Sequence, residues 1–250
     1  MQWSDEGIVL SGRRHGEHGL VAQILTRGHG RHAGLVRGGQ GPKLRTVYQA
    51  GNRLAVTWRA RLAEHLGLLS GELLHGHAAR FMSDPARLAC LVAACAMAEA
   101  ALPERELHPR AYDGLSALLD ALDQDSGWAV GYVEWELTLL AELGFGLDLT
   151  RCAATGETDA LVFVSPKSGQ AVSARAGEPY RDRLLRLPGF LLPERSGEAP
   201  QPQDVIDGLA LTGYFLEHRV FDAHDRKVPL ARSRFVDQLQ RMATISRGHG

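Results

Sequence analysis

Apolar and polar positions alternate in short runs over the first 80 residues, then give way to helical spacing. Ile8, Val9 and Leu10, closed by Gly12, predict a strand over 7–12. Leu20, Val21, Ile24 and Leu25 predict a second over 19–26, because β-branched and apolar side chains fit a pleated, half-buried surface. Gly28-His29-Gly30 supplies a tight turn, and Leu35-Val36-Arg37 reads as a third strand. Gly38-Gly39-Gln40-Gly41-Pro42 is poor sheet material and predicts a mobile loop. Residues 53–59 alternate polar and apolar, which buries one face of a fourth strand and places Trp58 in the core. A fifth strand is expected within 66–74. Five short strands with a long third-to-fourth connection suit a small closed barrel, of the OB or the SH3-like type.

From Pro85 the period changes. Leu88, Leu91, Val92, Cys95, Ala98 and Glu99 follow helical spacing in an alanine-rich run that Pro103 ends. Tyr112, Leu115, Leu118, Leu119 and Leu122 form a second helical stripe. Trp128, Tyr132, Trp135, Leu139, Leu140 and Leu143 form a third, stopped by Gly144 and Gly146. Residues 150–180 are turn-rich, with one strand expected at 161–164, and the proline-bearing stretch 193–202 reads as a linker. Helices are expected over 205–221 and 235–243, packing back on the first helical group, and the tail 246–250 is expected to fray. The resulting division is 1–80 as the barrel, 81–148 as a helical domain, 149–182 as a small turn-rich module and 183–246 as C-terminal helices.

Composition narrows the class. With 250 residues and 44% apolar content the chain buries a sizeable core, and it is too apolar for a disordered protein. No apolar run approaches the ~20 residues a spanning helix needs. The polar, acidic start lacks a secretory signal, and three cysteines give no disulfide framework. These features predict a soluble cytoplasmic protein. Charge is uneven: residues 1–80 carry 11 Lys and Arg against 5 Asp and Glu, a net of +6, while the rest carry 17 against 24, a net of −7. A basic barrel before an acidic helical half points to a polyanion for the first and protein partners for the second.

Candidate chemistry is sparse. Seven of the 11 histidines lie in 1–80, as the pairs His15/His18, His29/His32 and His75/His77 with His65. No carboxylate or cysteine completes these pairs at ligand spacing, so no metal is assigned; His29 and His32, beside a turn in a basic region, are expected to face phosphates. Cys90 and Cys95 lie on the apolar helix and read as buried and inert. Glu134 and Glu136 are turned far apart by a helix, and no nucleophile elbow, phosphate-binding loop or zinc-protease motif is present. Neither an enzyme nor a cofactor is expected.

Several of these stretches resemble one family. The arginine-rich barrel with its Gly-Gly loop, the helix end Trp135-Glu136-Leu137-Thr138-Leu139-Leu140-Ala141-Glu142-Leu143-Gly144, the following Leu147-Asp148-Leu149-Thr150-Arg151-Cys152, and Ser168-Gly169 are similar to RecO, the bacterial recombination mediators. The resemblance covers nearly the whole chain. It implies an α+β protein: an N-terminal five-stranded OB-fold barrel, then an α-helical domain carrying a small zinc-finger-like insertion. In many such proteins two CxxC pairs hold zinc there. The four positions fall here on Cys152, Thr155, Ser173 and Ala176, with Gly156 and Gly169 at the turns, so the outline is expected without its metal.

The resemblance also implies a DNA repair and recombination mediator. It binds single- and double-stranded DNA, anneals complementary strands, contacts the acidic, apolar tail of the single-strand-binding protein, and works with RecR to load RecA. A protein monomeric when free and associated with the nucleoid is expected, with no membrane role. The DNA-binding candidates are Arg13, Arg14, Arg27, Arg31, Arg37, Lys43, Arg45, Arg53 and Arg59, whose guanidinium forks and ammonium suit phosphate. On the helical half, Arg105, His108 and Arg110 are candidates for the protein tail, with Arg219, Arg226 and Lys227 as further basic positions. An RNA-binding OB adaptor is the competing reading. It requires exposed aromatics on adjacent strands, where the barrel offers only Trp3, Tyr48 and Trp58.

Overall fold

The computed structural model describes residues 1–62, 65–124, 127–192 and 199–247. The chain forms two compact units, 1–125 with 229–235, and 126–228 with 236–250. Most of the expected linker, at 193–198, and the last three residues of the expected fraying tail lie outside the described residues. No described helix is long and apolar enough to cross a membrane.

In the first unit, strands β1 (Gln2–His15), β2 (Gly19–Thr26), β3 (Gly30–Val36), β4 (Arg53–Arg59) and β5 (Gly67–His75) close into a barrel of order β1-β2-β3-β5-β4. All pairings are antiparallel except the seam, where β3 and β5 run parallel over Gly34↔Gly67 and Leu35↔Leu68. A short helix α1 (Pro42–Val47), begun by proline, fills the connection between β3 and β4. This is the five-stranded OB arrangement.

Strand β1 is longer than its apolar core suggests. Its first half pairs with β4 and its second half with β2, and a bulge between Val9 and Ser11 marks the change. Alternation puts Val9, Leu20, Ala22, Ile24, Val36, Leu54, Val56, Trp58 and Leu69 inside with Tyr48. Each large apolar side chain so buried contributes about 1.5–3 kcal/mol. Trp58 is the centre of this core, only 2% exposed, and its indole N–H donates to the Ala33 carbonyl at 3.0 Å. A Cβ at Gly67 would lie 2.2 Å from Trp58 Cε2, so only glycine lets the seam strand cross that ring.

Beyond the barrel, a short helix α2 (His77–Arg80) precedes α3 (Pro85–Ala101) and α4 (Pro109–Leu122). Asp84 caps α3 by accepting from the Ala86 and Arg87 N–H groups, each at 3.1 Å. Its alanines let α3 lie close against β1 and α4, with Cys90, Leu91, Cys95 and Met97 fully buried. The α4 stripe expected from sequence is buried in full.

The second unit contains α5 (Trp128–Glu142), a three-stranded antiparallel sheet of β6 (Leu161–Val164), β7 (Ala171–Ser173) and β8 (Leu185–Arg186), a short helix α6 (Ala174–Gly177) and α7 (Pro202–Phe215). α8 (Leu230–Arg247) begins in the first unit and continues in the second. α5 packs on α7, and the Thr212 hydroxyl donates to the buried Glu136 carboxylate at 2.5 Å. Glu134, on the same helix, is exposed, so the two carboxylates face apart.

Candidate nucleic-acid interface

The structure divides the nine basic barrel residues into two sets. Four are engaged by protein oxygen. Arg27 forms a two-pronged pair with Asp113, Nε at 2.8 Å and Nη2 at 3.1 Å, and each partner holds the other in its charged form. Arg53 donates to the Ser116 carbonyl at 2.7 Å and meets Asp120 at 2.8 Å. Arg31 donates to the Leu102 carbonyl and Gln23 at 2.9 and 3.0 Å and meets Glu104 at 3.3 Å. Arg13 reaches Glu99 at 2.9 Å from an otherwise exposed side chain. These partners lie on or beside α3 and α4, far along the chain, which is why the local sequence carries no sign of them.

The other five are exposed. Arg59 makes one contact, to the Gln2 side-chain oxygen at 2.8 Å. Arg14, Arg37, Lys43 and Arg45 have no hydrogen-bond or carboxylate partner among the described residues. The ladder explains where they gather. Arg14 pairs with Leu20 and Leu20 with Val36, so Arg14 near the end of β1 and Arg37 just past the end of β3 lie on either side of β2 at one mouth of the barrel. The 38–41 segment, expected to be mobile, is anchored there. Gln40 donates from its backbone N–H to the His18 carbonyl at 3.2 Å and from its side chain to the Gly16 and Gly19 carbonyls at 2.9 Å. That latch brings the first turn of α1, with Lys43 and Arg45, to the β1–β2 hairpin. Arg37 and Arg59 line a cleft of about 410 Å³ together with Leu35, Leu44, Tyr48 and Leu68.

Of the three aromatic side chains of the barrel, two stay inside and Trp3 is partly buried. Trp58 and Tyr48 are buried, and burial pushes the Tyr48 hydroxyl up to about 12. Trp3 stacks on His29 at 4.1 Å and on Trp58 at 5.7 Å. His29 also meets Asp5 at 3.1 Å, and His32 is 8% exposed, edge-on to Trp3 and Trp58. The expectation that His32 faces phosphate is therefore corrected, since ring packing takes it into the wall of the barrel, while His29 stays about one-third exposed beside Trp3 and Asp5. Arg105 and Arg110 are exposed with Leu107 between them, and His108 is buried as the residue preceding α4.

No carboxylate stands at ligand spacing from the histidine pairs in the sequence, but the fold brings one to His75 and His77. Asp123, at the end of α4, lies 3.2 Å from His75 Nε2 and 3.5 Å from His77 Nδ1. Burial pushes His77 down to about 4, with the neighbouring His75 adding to the effect, so its ring is neutral near pH 7.

The module around Cys152 keeps two turns at positive φ, Gly156 at 75° and Gly169 at 73°. Its donor set does not fit zinc: one thiol, the Thr155 and Ser173 hydroxyls and the Ala176 methyl. Thr155 donates instead to Glu157 at 3.0 Å, and the Ser173 N–H donates to Cys152 Sγ at 3.3 Å. Burial alone would raise the Cys152 thiol, but the hydrogen bonds it accepts, those of the Ser173 and Ala154 N–H groups among them, prevail and bring it to about 6. A depressed pKa contributes stability that is complete above the unfolded value near 9 and fades as pH falls through about 6. Wild-type thermal stability is therefore expected to rise over that window more steeply than that of Cys152→Ser, measured by melting at a series of pH values; parallel curves would refute the assignment.

Comparison with known proteins follows the same outline. The family model Recombination protein O N terminal matches residues 1–77, and Recombination protein O C terminal matches residues 82–227. The chain is 54% identical over 248 residues to DNA repair protein RecO of Rhodospirillum centenum, covering 98% of each. It is 50% identical over 253 residues to that of Rhodospirillum rubrum, covering 99% of this chain and 100% of the relative. With its OB barrel, its helical continuation and both family models in register with them, the chain belongs to the RecO family of DNA repair proteins.

Proposed function

We propose that the chain is a recombination mediator. It binds single- and double-stranded DNA through the barrel mouth, anneals complementary strands, and acts with RecR to load RecA onto DNA coated by single-strand-binding protein. The observation that carries the binding step is the grouping of Arg14, Arg37, Lys43 and Arg45, without protein partners among the described residues, on segments latched together by Gln40. Arg59 extends this set along the cleft. Arg13 joins it when DNA displaces Glu99, since its side chain is 77% exposed. Arg27, Arg31 and Arg53 contribute by holding the barrel wall to the segment that follows it.

Binding in this reading is electrostatic. Phosphates neutralised by the mouth release counterions, while the buried Trp58 and Tyr48 offer bases no stacking surface. Strands gripped by their backbones keep their base edges free, which is what pairing with a second strand requires. No covalent step and no nucleotide are needed. The acidic tail of the single-strand-binding protein is proposed to meet Arg105 and Arg110, with the exposed Leu107 between them as apolar contact and His108 beneath.

The test is a salt titration of binding to a single-stranded oligonucleotide, run beside an annealing assay. The four partner-free side chains alone predict a log–log slope of roughly −3, at about −0.7 per contacted phosphate, and contacts by Arg59 and Arg13 would steepen it. Annealing of complementary strands is expected to accelerate with and without single-strand-binding protein. A slope near zero would refute the electrostatic grip, and uncatalysed annealing rates would refute the mediator reading.

A further inference from the structure

We propose that His75, His77 and Asp123 form a binding site for a zinc-type divalent transition-metal ion, fastening the end of β5 to the end of α4. One ligand atom from each residue can be chosen so that all lie within 4.8 Å of one another. The donor chemistry is specific: two imidazoles and one carboxylate suit zinc or cobalt, whereas magnesium and calcium take oxygen sets. Three protein ligands leave a fourth position for water.

A packed core pair would satisfy its own polar atoms, and this cluster does not. His77 is fully buried, and neither of its ring nitrogens has a hydrogen-bond partner among the described residues. Asp123 Oδ1 is likewise buried without a partner. Asp123 Oδ2 is the oxygen that faces both histidines, and a metal held there and by a His77 nitrogen would answer an orphaned atom of His77. The rings of His75 and His77 lie 4.2 Å apart, on either side of Gly76, so one ion can reach both.

A cation already marks the position. Arg80 Nη1 lies 3.0 Å from Asp123 Oδ2 and 3.3 Å from His75 Nε2. Its side chain is 53% exposed on the four-residue helix α2, so it swings into solvent as the ion enters. Arg80 is thus a competitor of the metal, and this gives the proposal a signature that a merely structural cluster lacks: removing the arginine tightens binding.

The experiment uses full-length protein purified without a histidine tag and stripped with a chelator. It is titrated calorimetrically with Zn²⁺ and optically with Co²⁺, whose absorption reports tetrahedral nitrogen and oxygen ligation. One ion per chain is expected, with no binding of Mg²⁺ or Ca²⁺. His77→Ala and Asp123→Asn are expected to weaken Zn²⁺ by about 100-fold or more, at or beyond the upper range for lost supporting contacts. Arg80→Ala is expected to bind several-fold tighter, and Cys152→Ser to bind as wild type. Circular dichroism checks each fold, and because His77→Ala removes a core side chain, Asp123→Asn and Arg80→Ala decide the matter if it unfolds. Absence of Zn²⁺ and Co²⁺ binding, undiminished binding by folded Asp123→Asn, or loss of binding in Cys152→Ser would overturn the proposal.

Discussion

Replacing Arg14, Arg37, Lys43 and Arg45 together by alanine is expected to weaken binding of a single-stranded oligonucleotide about 10²–10³-fold near 0.1 M salt, and to flatten the log–log salt slope by roughly 3. The size follows from counterion release, since each lost phosphate contact removes about 0.7 of a decade at that concentration. Stability should hardly move, because these four side chains are exposed and unpartnered among the described residues. The matching control is Arg27→Ala with Arg53→Ala. Both guanidiniums are already held by Asp113, Ser116 and Asp120, so their loss is expected to lower stability and leave the slope in place. Fluorescence anisotropy over a salt series reads both variants. An unchanged slope in the quadruple variant would remove the barrel mouth as the DNA surface.

Trp58→Ala is expected to destabilise the first unit by about 3–5 kcal/mol, the range for deleting a large buried aromatic. The indole fills the barrel centre, and its removal also deprives the Ala33 carbonyl of its donor. At 2–4 °C per kcal/mol for a chain of this size, the melting temperature should fall by roughly 6–20 °C. Below that transition the variant is expected to keep wild-type DNA affinity, because Trp58 presents no face to a base. A folded Trp58→Ala that binds DNA far more weakly would restore aromatic stacking to the mechanism.

The alternation over Arg53–Arg59 was legible because one face is wholly apolar, and it located Trp58 correctly. The ends of β1 were not. Apart from Trp3, residues 2–6 and 13–15 are polar and exposed or half-buried, and they are strand only because β4 and β2 supply their hydrogen bonds. The first half of β3 was hidden by Gly30, His32 and Gly34, whose small or polar side chains fit a wall packed against Trp3 and Trp58. α1 is six residues with no buried side chain, too short for a periodic signal. At the site, composition revealed the excess of arginine. It could not say which arginines are neutralised, because Glu99, Glu104, Asp113 and Asp120 approach only through the packing of α3 and α4 on the barrel. Asp123 escaped notice beside His75 and His77 for the same reason.

The carboxylates that quiet Arg27, Arg31 and Arg53 have an effect beyond holding elements together. They offset positive charge along one flank, so the basic side chains unpaired among the described residues stand at the other end of the barrel. In the proposed binding mode, an approaching strand would meet a field weighted toward that end before any side chain touches it.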